Sequence, residues 1–204
     1  MQIAIIGTGN VGGALATQWA KAGHAIRLGV RNIQTFKGME LLDNPNTTLH
    51  PQLEAVREAD AILIATPPQV VTDLIELCGS EIDGKVIIDA TNAIRSRPEP
   101  YPTAYHAFTA LTQAEVVKCF NTTGYENMAN PAYPDGTLDM FMAGDSPTAK
   151  DVAAQLASDA GFANCYDFGR ADKVELLEQF ALAWINLAIM QGMGRGIGFK
   201  VLRR

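Results

Sequence analysis

The sequence predicts an α/β fold, a doubly wound and mostly parallel sheet completed by a C-terminal helical extension. Three observations carry this. Unbroken apolar runs, AILIA at residues 61–65 and KVIID at residues 85–89, have the composition of parallel strands covered on both faces. Segments with helical apolar spacing alternate with such runs. A glycine-rich turn, GTGNVG at residues 7–12, lies between the first apolar run and the first helical segment.

The elements follow in order. Gln2 to Ile6 is an apolar strand, and residues 10–22 have helical spacing that Gly23 stops. Strand character resumes at residues 24–28. A second short helix is expected over residues 33–42, with a turn at 43–46. After strand 61–65 a helix covers residues 68–78, and strand 85–89 follows. The proline-rich RSRPEPYP, residues 95–102, reads as a loop between strands, a linker or a site lid. Residues 116–120, 139–143 and 164–168 make three further strands, the last two separated by a helix that Ser146 and Pro147 open. A long helix over residues 171–191 finishes the ordered chain.

Composition fits one compact unit. The 204 residues are 48% hydrophobic and 19% charged, which is ordinary for a globular chain able to bury a core. A net charge of −6 argues against nucleic acid or anionic lipid as partners, since both need a basic face. Cys78, Cys119 and Cys165 are odd in number and form no CxxC, so they read as reduced thiols in a cytoplasmic protein with no metal site. The N-terminal MQIAIIG lacks a basic leader and enters a strand directly, so no signal peptide is expected. FALAWINLAIM, residues 180–190, is too short for a bilayer and reads as a buried or interfacial helix.

The glycine turn carries the functional signal. A GxGxxG that follows a strand and opens a helix is the fingerprint of a Rossmann-type dinucleotide site. Gly7 permits the tight turn, Gly9 lets a pyrophosphate approach the backbone, and Gly12 allows close helix packing. A helix N-terminus supplies amides and a positive dipole end for the phosphates. An NAD site ordinarily has Asp or Glu after the second strand, but IRLGVRN, residues 26–32, has none and offers Arg31. A guanidinium suits a 2′-phosphate, so the expected cofactor is NADP(H), with Lys37 a candidate second contact. Thr66 and Pro67, in ATPPQVV, are candidate cofactor contacts. In IDATNAI, Thr91 and Asn92 read either as nicotinamide-side contacts or as turn chemistry. Domain boundaries follow: residues 1–170 as the dinucleotide-binding domain, and residues 171–204 as a helix and tail that complete the cleft or a dimer interface.

These features resemble the family of NADP oxidoreductases dependent on the deazaflavin coenzyme, together with the related reductase domain of metal-reducing membrane proteins. The resemblance rests on GTGNVG, on GVRN after the second strand, on VVKCFNTTGYENMANP at residues 116–131 and on MQGMGRGIGFKVL at residues 190–202. It implies that Thr8, Asn10, Val11 and Arg31 hold NADP, and that Asn121, Thr122, Thr123 and Tyr125 face the hydride acceptor. Val30 stands where the family has serine. The acceptor it implies is a deazaflavin or a flavin, FMN or FAD, with a quinone or metal chelate as other candidates.

Hydride transfer between rings needs stacking and positioning rather than a catalytic triad, and the sequence offers no catalytic signature. Among the histidines only His106, expected in the loop after the proline-rich stretch, is a candidate to lie near the site, with a plain surface or capping histidine as its other reading; His24 and His50 read as structural. Two other readings stand beside this one. A reductase of small carbonyls or imines would need a general acid, usually lysine, for which Lys118 and Lys173 are poorly placed candidates. A non-catalytic NADP(H) sensor would use the C-terminal helix as a partner surface. In each case the apolar helix predicts a homodimer.

Overall fold

In the computed structural model, which describes residues 1–204, eight strands form one sheet in the order β10-β9-β6-β5-β4-β1-β2-β3. The strands nearest the glycine turn are β1 (Gln2–Ile6), β2 (Ala25–Val30), β4 (Ala61–Ile64), β5 (Val86–Asp89) and β6 (Glu115–Cys119). All of these run parallel, with Ile3 opposite Ala61 and Val86 opposite Glu115, and β3 (Thr47–Pro51) extends them in parallel beyond β2. One pairing differs. β9 (Met140–Ala143) runs antiparallel to β6, and β10 (Cys165–Asp167) is parallel to β9.

Both faces are covered, which is why β1, β4 and β5 read as continuous apolar runs. On one face, α1 (Asn10–Lys21), α5 (Tyr125–Ala129) and α6 (Pro147–Asp159) pack over a core of 26 buried residues that includes Leu15, Trp19, Phe120 and Leu156. Trp19 meets Phe120 edge-on at 5.5 Å, and its indole N–H donates to the Leu156 carbonyl at 2.8 Å, so a large apolar ring is buried with its one donor satisfied. On the other face, α2 (Gln52–Arg57), α3 (Val71–Cys78), α4 (Ala104–Leu111) and α7 (Val174–Ile185) enclose 22 buried residues, among them Val56, Ile75, Phe108 and Leu177.

Several expectations need correction. Residues 33–42 form no α-helix; only a 3₁₀ turn at Met39–Asp43 appears, without a buried residue to anchor a longer helix. β3 and α2 follow it and carried no strong pattern. β3 is an edge strand ending in Pro51, and only Thr47 of its five residues is buried. The proline-rich stretch is irregular as expected, but the segment after it folds into α4, capped by Thr103. His106 therefore sits in the first turn of that helix, with its ring 2.8 Å from the Thr103 hydroxyl, and not in a loop. A small antiparallel pair, β7 (Ala132–Tyr133) and β8 (Gly136–Thr137), was also not anticipated.

The C-terminal helix forms as expected: a 3₁₀ turn at Ala171–Lys173 leads into α7, which continues as a π-helical turn at Asn186–Met190. Beyond it, residues 192–202 make a strap. Phe199 stacks on Phe180 at 4.4 Å, and the Ile197 carbonyl accepts from Trp184 at 2.7 Å and from Asn127 at 2.6 Å. No helix is long and apolar enough to cross a membrane.

Candidate functional site

The C-terminal ends of the parallel strands open onto one crevice. β1 is flanked by β2 on one side and β4 on the other, so the connections diverge there; this switch point is where open α/β sheets bind ligands. The glycine turn closes the end of β1. Gly7 has φ +103°, and a Cβ there would stand 2.5 Å from the Ala65 carbonyl carbon at the end of β4. A Cβ on Gly12 would lie 1.9 Å from the Gly7 oxygen, so both glycines are dictated by close packing within the protein. Gly9 is different. A Cβ there would meet nothing within 4 Å, so its missing side chain leaves space that no part of this chain uses. Gly9 also precedes α1, whose N-terminus has no side-chain cap, and the first-turn amides of the helix lie beside that space.

Arg31 follows β2 directly. Both Arg31 and Lys37 are exposed, and neither takes part in an ion pair. An unpaired cation directly after β2, with no carboxylate between Ile26 and Asn32, suits a phosphate dianion better than a ribose hydroxyl. Val30, the last residue of β2, is buried.

Three buried polar atoms at adjoining strand ends lack a partner: Thr66 Oγ1 beyond β4, Thr91 Oγ1 beyond β5 and Asn121 Oδ1 beyond β6. Each would cost about 1–3 kcal/mol if left unsatisfied, so their grouping at one crevice fits a site built to receive a polar ligand. Asn121 is turned into position by Phe120, a non-glycine residue at φ +61°. Asn92 and Asn121 then bond to each other. Beside Asn92 opens a cavity of about 790 Å³, walled by Ile94 and Arg95 and by Leu182, Ile185 and Met190 of α7 and its π-helical turn.

The remaining residues of the segment after β6 are engaged elsewhere. Thr122 is buried with its hydroxyl 3.8 Å from Met140 Sδ, and the Thr123 hydroxyl accepts from Asn127 at 2.7 Å. The Tyr125 ring lies under the Arg195 guanidinium, 5.2 Å from its centroid. Arg195 also bonds Glu126. Burial would raise the Glu126 carboxyl, but the hydrogen bond and charge of Arg195, together with a backbone hydrogen bond and one from Tyr125, outweigh it and hold the group below its ordinary range.

The chain also buries charge, and of the groups involved sequence reading singled out Lys118 alone, without its partners. Lys118 of β6 is fully buried and contacts Asp89, at the end of β5, and Glu178 of α7. A lysine and an aspartate inside otherwise apolar strands are the available signal, since charges in such places need partners. Two of the three thiols are held in the protonated form. Burial, and then the charge of Glu81, pushes Cys78 up to about 11; burial and the nearby Cys165 sulfur raise Cys119 as well.

With this geometry in view, the comparisons with known proteins can be set beside it. Residues 2–93 match the family model described as NADP oxidoreductase, coenzyme F420-dependent. The chain is a distant relative of that family. It is 26% identical over 220 aligned positions to the F420-dependent NADP reductase of Methanothermobacter marburgensis, covering 98% of each chain. It is also 25% identical over 164 positions to the metalloreductase STEAP3 of Rattus norvegicus, covering 79% of this chain and 32% of that protein. Among solved structures, a candidate F420-dependent NADP reductase of an Arthrobacter species superposes with a TM-score of 0.87 at 24% identity over the whole of both chains. The Myxococcus stipitatus imine reductase in complex with NADP+ superposes at 0.72 with 14% identity, over 94% of this chain and 63% of that one. The last two likenesses establish the Rossmann-like fold. The family model spans β1 through the loop after β5, the part of the chain that contains the glycine turn, Arg31, Thr66 and Thr91.

Proposed function

We propose that this protein is an NADP(H)-dependent oxidoreductase that passes hydride between the nicotinamide and a deazaflavin or flavin-type acceptor. The observation that carries the reading is Arg31, unpaired and exposed at the end of β2 where no carboxylate is present, on a chain related to a family of NADP oxidoreductases. When bound, the nicotinamide supplies the hydride chemistry, and the residues of this chain supply position and shelter.

On this reading Gly7, Thr8, Gly9, Asn10, Val11 and Gly12 form the pyrophosphate cradle at the start of α1. Arg31 and Lys37 hold the 2′-phosphate, and Thr66 with Pro67 walls the groove. Thr91, Asn92 and Asn121 orient the carboxamide, which the unpartnered Thr91 and Asn121 oxygens support. The apolar cavity beside Asn92 takes the ring acceptor and keeps water from it. Thr122, Thr123 and Tyr125 act from behind, by fixing α5 and the strap.

The reading as a carbonyl or imine reductase loses its general acid. Lys118 is buried with its ammonium bonded to two carboxylates, and Lys173 bonds Asp172 at the surface. Leu176, Leu182, Ile189 and Met190 leave an exposed apolar face on the C-terminal helix, which supports a homodimer. Light scattering at micromolar concentration tests it, and a monomer rejects it. The function itself is tested by anaerobic oxidation of NADPH with the deazaflavin coenzyme, FMN and FAD in turn. Turnover with one ring supports the proposal; tight NADPH binding without turnover on any ring favours a sensor.

A further inference from the structure

Lys118 Nζ is surrounded by Asp89 Oδ2 at 3.0 Å, Glu178 Oε1 at 2.6 Å and the Thr91 carbonyl at 2.5 Å. Each carboxylate has a second task. Asp89 accepts from the Thr91 N–H at 2.9 Å and from the Tyr105 N–H at 3.0 Å. Glu178 Oε2 accepts from the Ala93 N–H at 2.8 Å. Three backbone groups of residues 91–93 therefore end on one buried ion triad, and α7 enters that triad through Glu178. Asn92 lies between the two held residues, with its amide bonded to Asn121.

A buried triad of this kind is not needed for stability, because well-packed apolar side chains in its place are often as stable. What apolar side chains cannot do is hold the N–H of a neighbouring loop. We propose that Glu178 is a positioning residue for the nicotinamide end of the cofactor: seated by Lys118, it fixes Ala93 and thereby the Thr91–Asn92 turn. This rests on the NADP(H) reading above.

Glu178→Gln separates the two tasks. A glutamine has one accepting oxygen and one donating amide, so it can accept from Lys118 or from Ala93 but not from both. The charged donor takes the oxygen, and Ala93 N–H is left facing an NH₂ group. Two ligands read the result: NADPH, and 2′-phospho-ADP-ribose, which lacks the nicotinamide. The variant should bind 2′-phospho-ADP-ribose as the parent does, while the extra affinity for NADPH falls about tenfold, the scale of one orphaned buried donor. Amide exchange in residues 90–94 should quicken by about the same factor while residues 174–185 stay protected.

Glu178→Asp keeps the charge but shortens the reach, and it serves the same test if the glutamine variant does not fold. Val174→Ala loosens α7 without touching the triad and should leave the ratio of affinities unchanged. An unchanged ratio and unchanged exchange in the Glu178 variants overturn the proposal. A parent protein that binds neither ligand overturns the NADP(H) reading instead. Exchange at residues 90–94 then decides alone, faster exchange showing that Glu178 holds the turn and equal exchange that it does not.

Discussion

Asn92 and Asn121, at the ends of adjacent strands β5 and β6, are joined by two hydrogen bonds: Asn92 Nδ2 donates to the Asn121 carbonyl at 3.1 Å, and Asn121 Nδ2 donates to Asn92 Oδ1 at 3.0 Å. The pair bridges the loops that follow the two strands. It leaves the Asn121 side-chain oxygen buried without a protein partner. Asn121→Ala should therefore free Asn92 Oδ1 and remove a ligand acceptor together, while the bond from Asn92 to the backbone carbonyl of residue 121 stays. The expected result is about a tenfold loss of NADPH affinity and a destabilisation of about 1–3 kcal/mol, read by titration and by urea unfolding.

Arg31 is exposed and makes no ion pair, so Arg31→Ala should leave the melting temperature nearly unchanged. Loss of two charge-assisted bonds to a 2′-phosphate should weaken NADPH binding by about 2–3 kcal/mol, with NADH little affected. Equal weakening of both nucleotides would remove the basis for NADP preference.

Gly9 and Gly12 separate binding from folding. Gly9→Ala places its methyl group in open space, so the melting temperature should move by no more than about 2 °C while nucleotide binding falls. Gly12→Ala drives a Cβ to 1.9 Å from the Gly7 oxygen and should cost about 1–3 kcal/mol of stability before any ligand is added. Thermal melts beside binding titrations distinguish them.

The strap should loosen in acid. The Glu126 carboxyl is depressed in the folded protein, so its contribution is present above the unfolded value of about 4.3 and is lost as pH falls through the lower folded value. Arg195 also lies over the Trp184 ring, 5.4 Å from its centroid, so indole emission should change in that pH window. The Glu126→Gln variant should lack the transition. Asp145, held low by the hydrogen bond from Arg170, adds acid sensitivity of the same sign that this variant keeps.

The sheet from β1 to β6 was legible because buried parallel strands must be apolar throughout, and the glycine turn because Gly7 and Gly12 answer close contacts within the protein while Gly9 leaves open space. The edge was not. β3 is half-exposed and polar, α2 has only six residues, and neither leaves a strong periodic trace. At the crevice, Thr66 and Thr91 were picked out by their places after strands and Asn121 only through the family resemblance, whereas the inward turn of Thr122 and the Tyr125–Arg195 contact depend on chain far away in sequence. Lys118 was visible as a charge in an apolar strand, but its partner Glu178 lies 60 residues on, in a helix that reads only as amphipathic.

The measurement closest to the central claim mixes the purified protein anaerobically with NADPH, and with NADH in parallel, and follows nicotinamide absorbance as the deazaflavin coenzyme, FMN or FAD is added. The account predicts rapid oxidation of NADPH by one of these rings, slow oxidation of NADH, and loss of that difference in the Arg31→Ala variant. Equal rates with both nucleotides, or no oxidation by any ring, would contradict it.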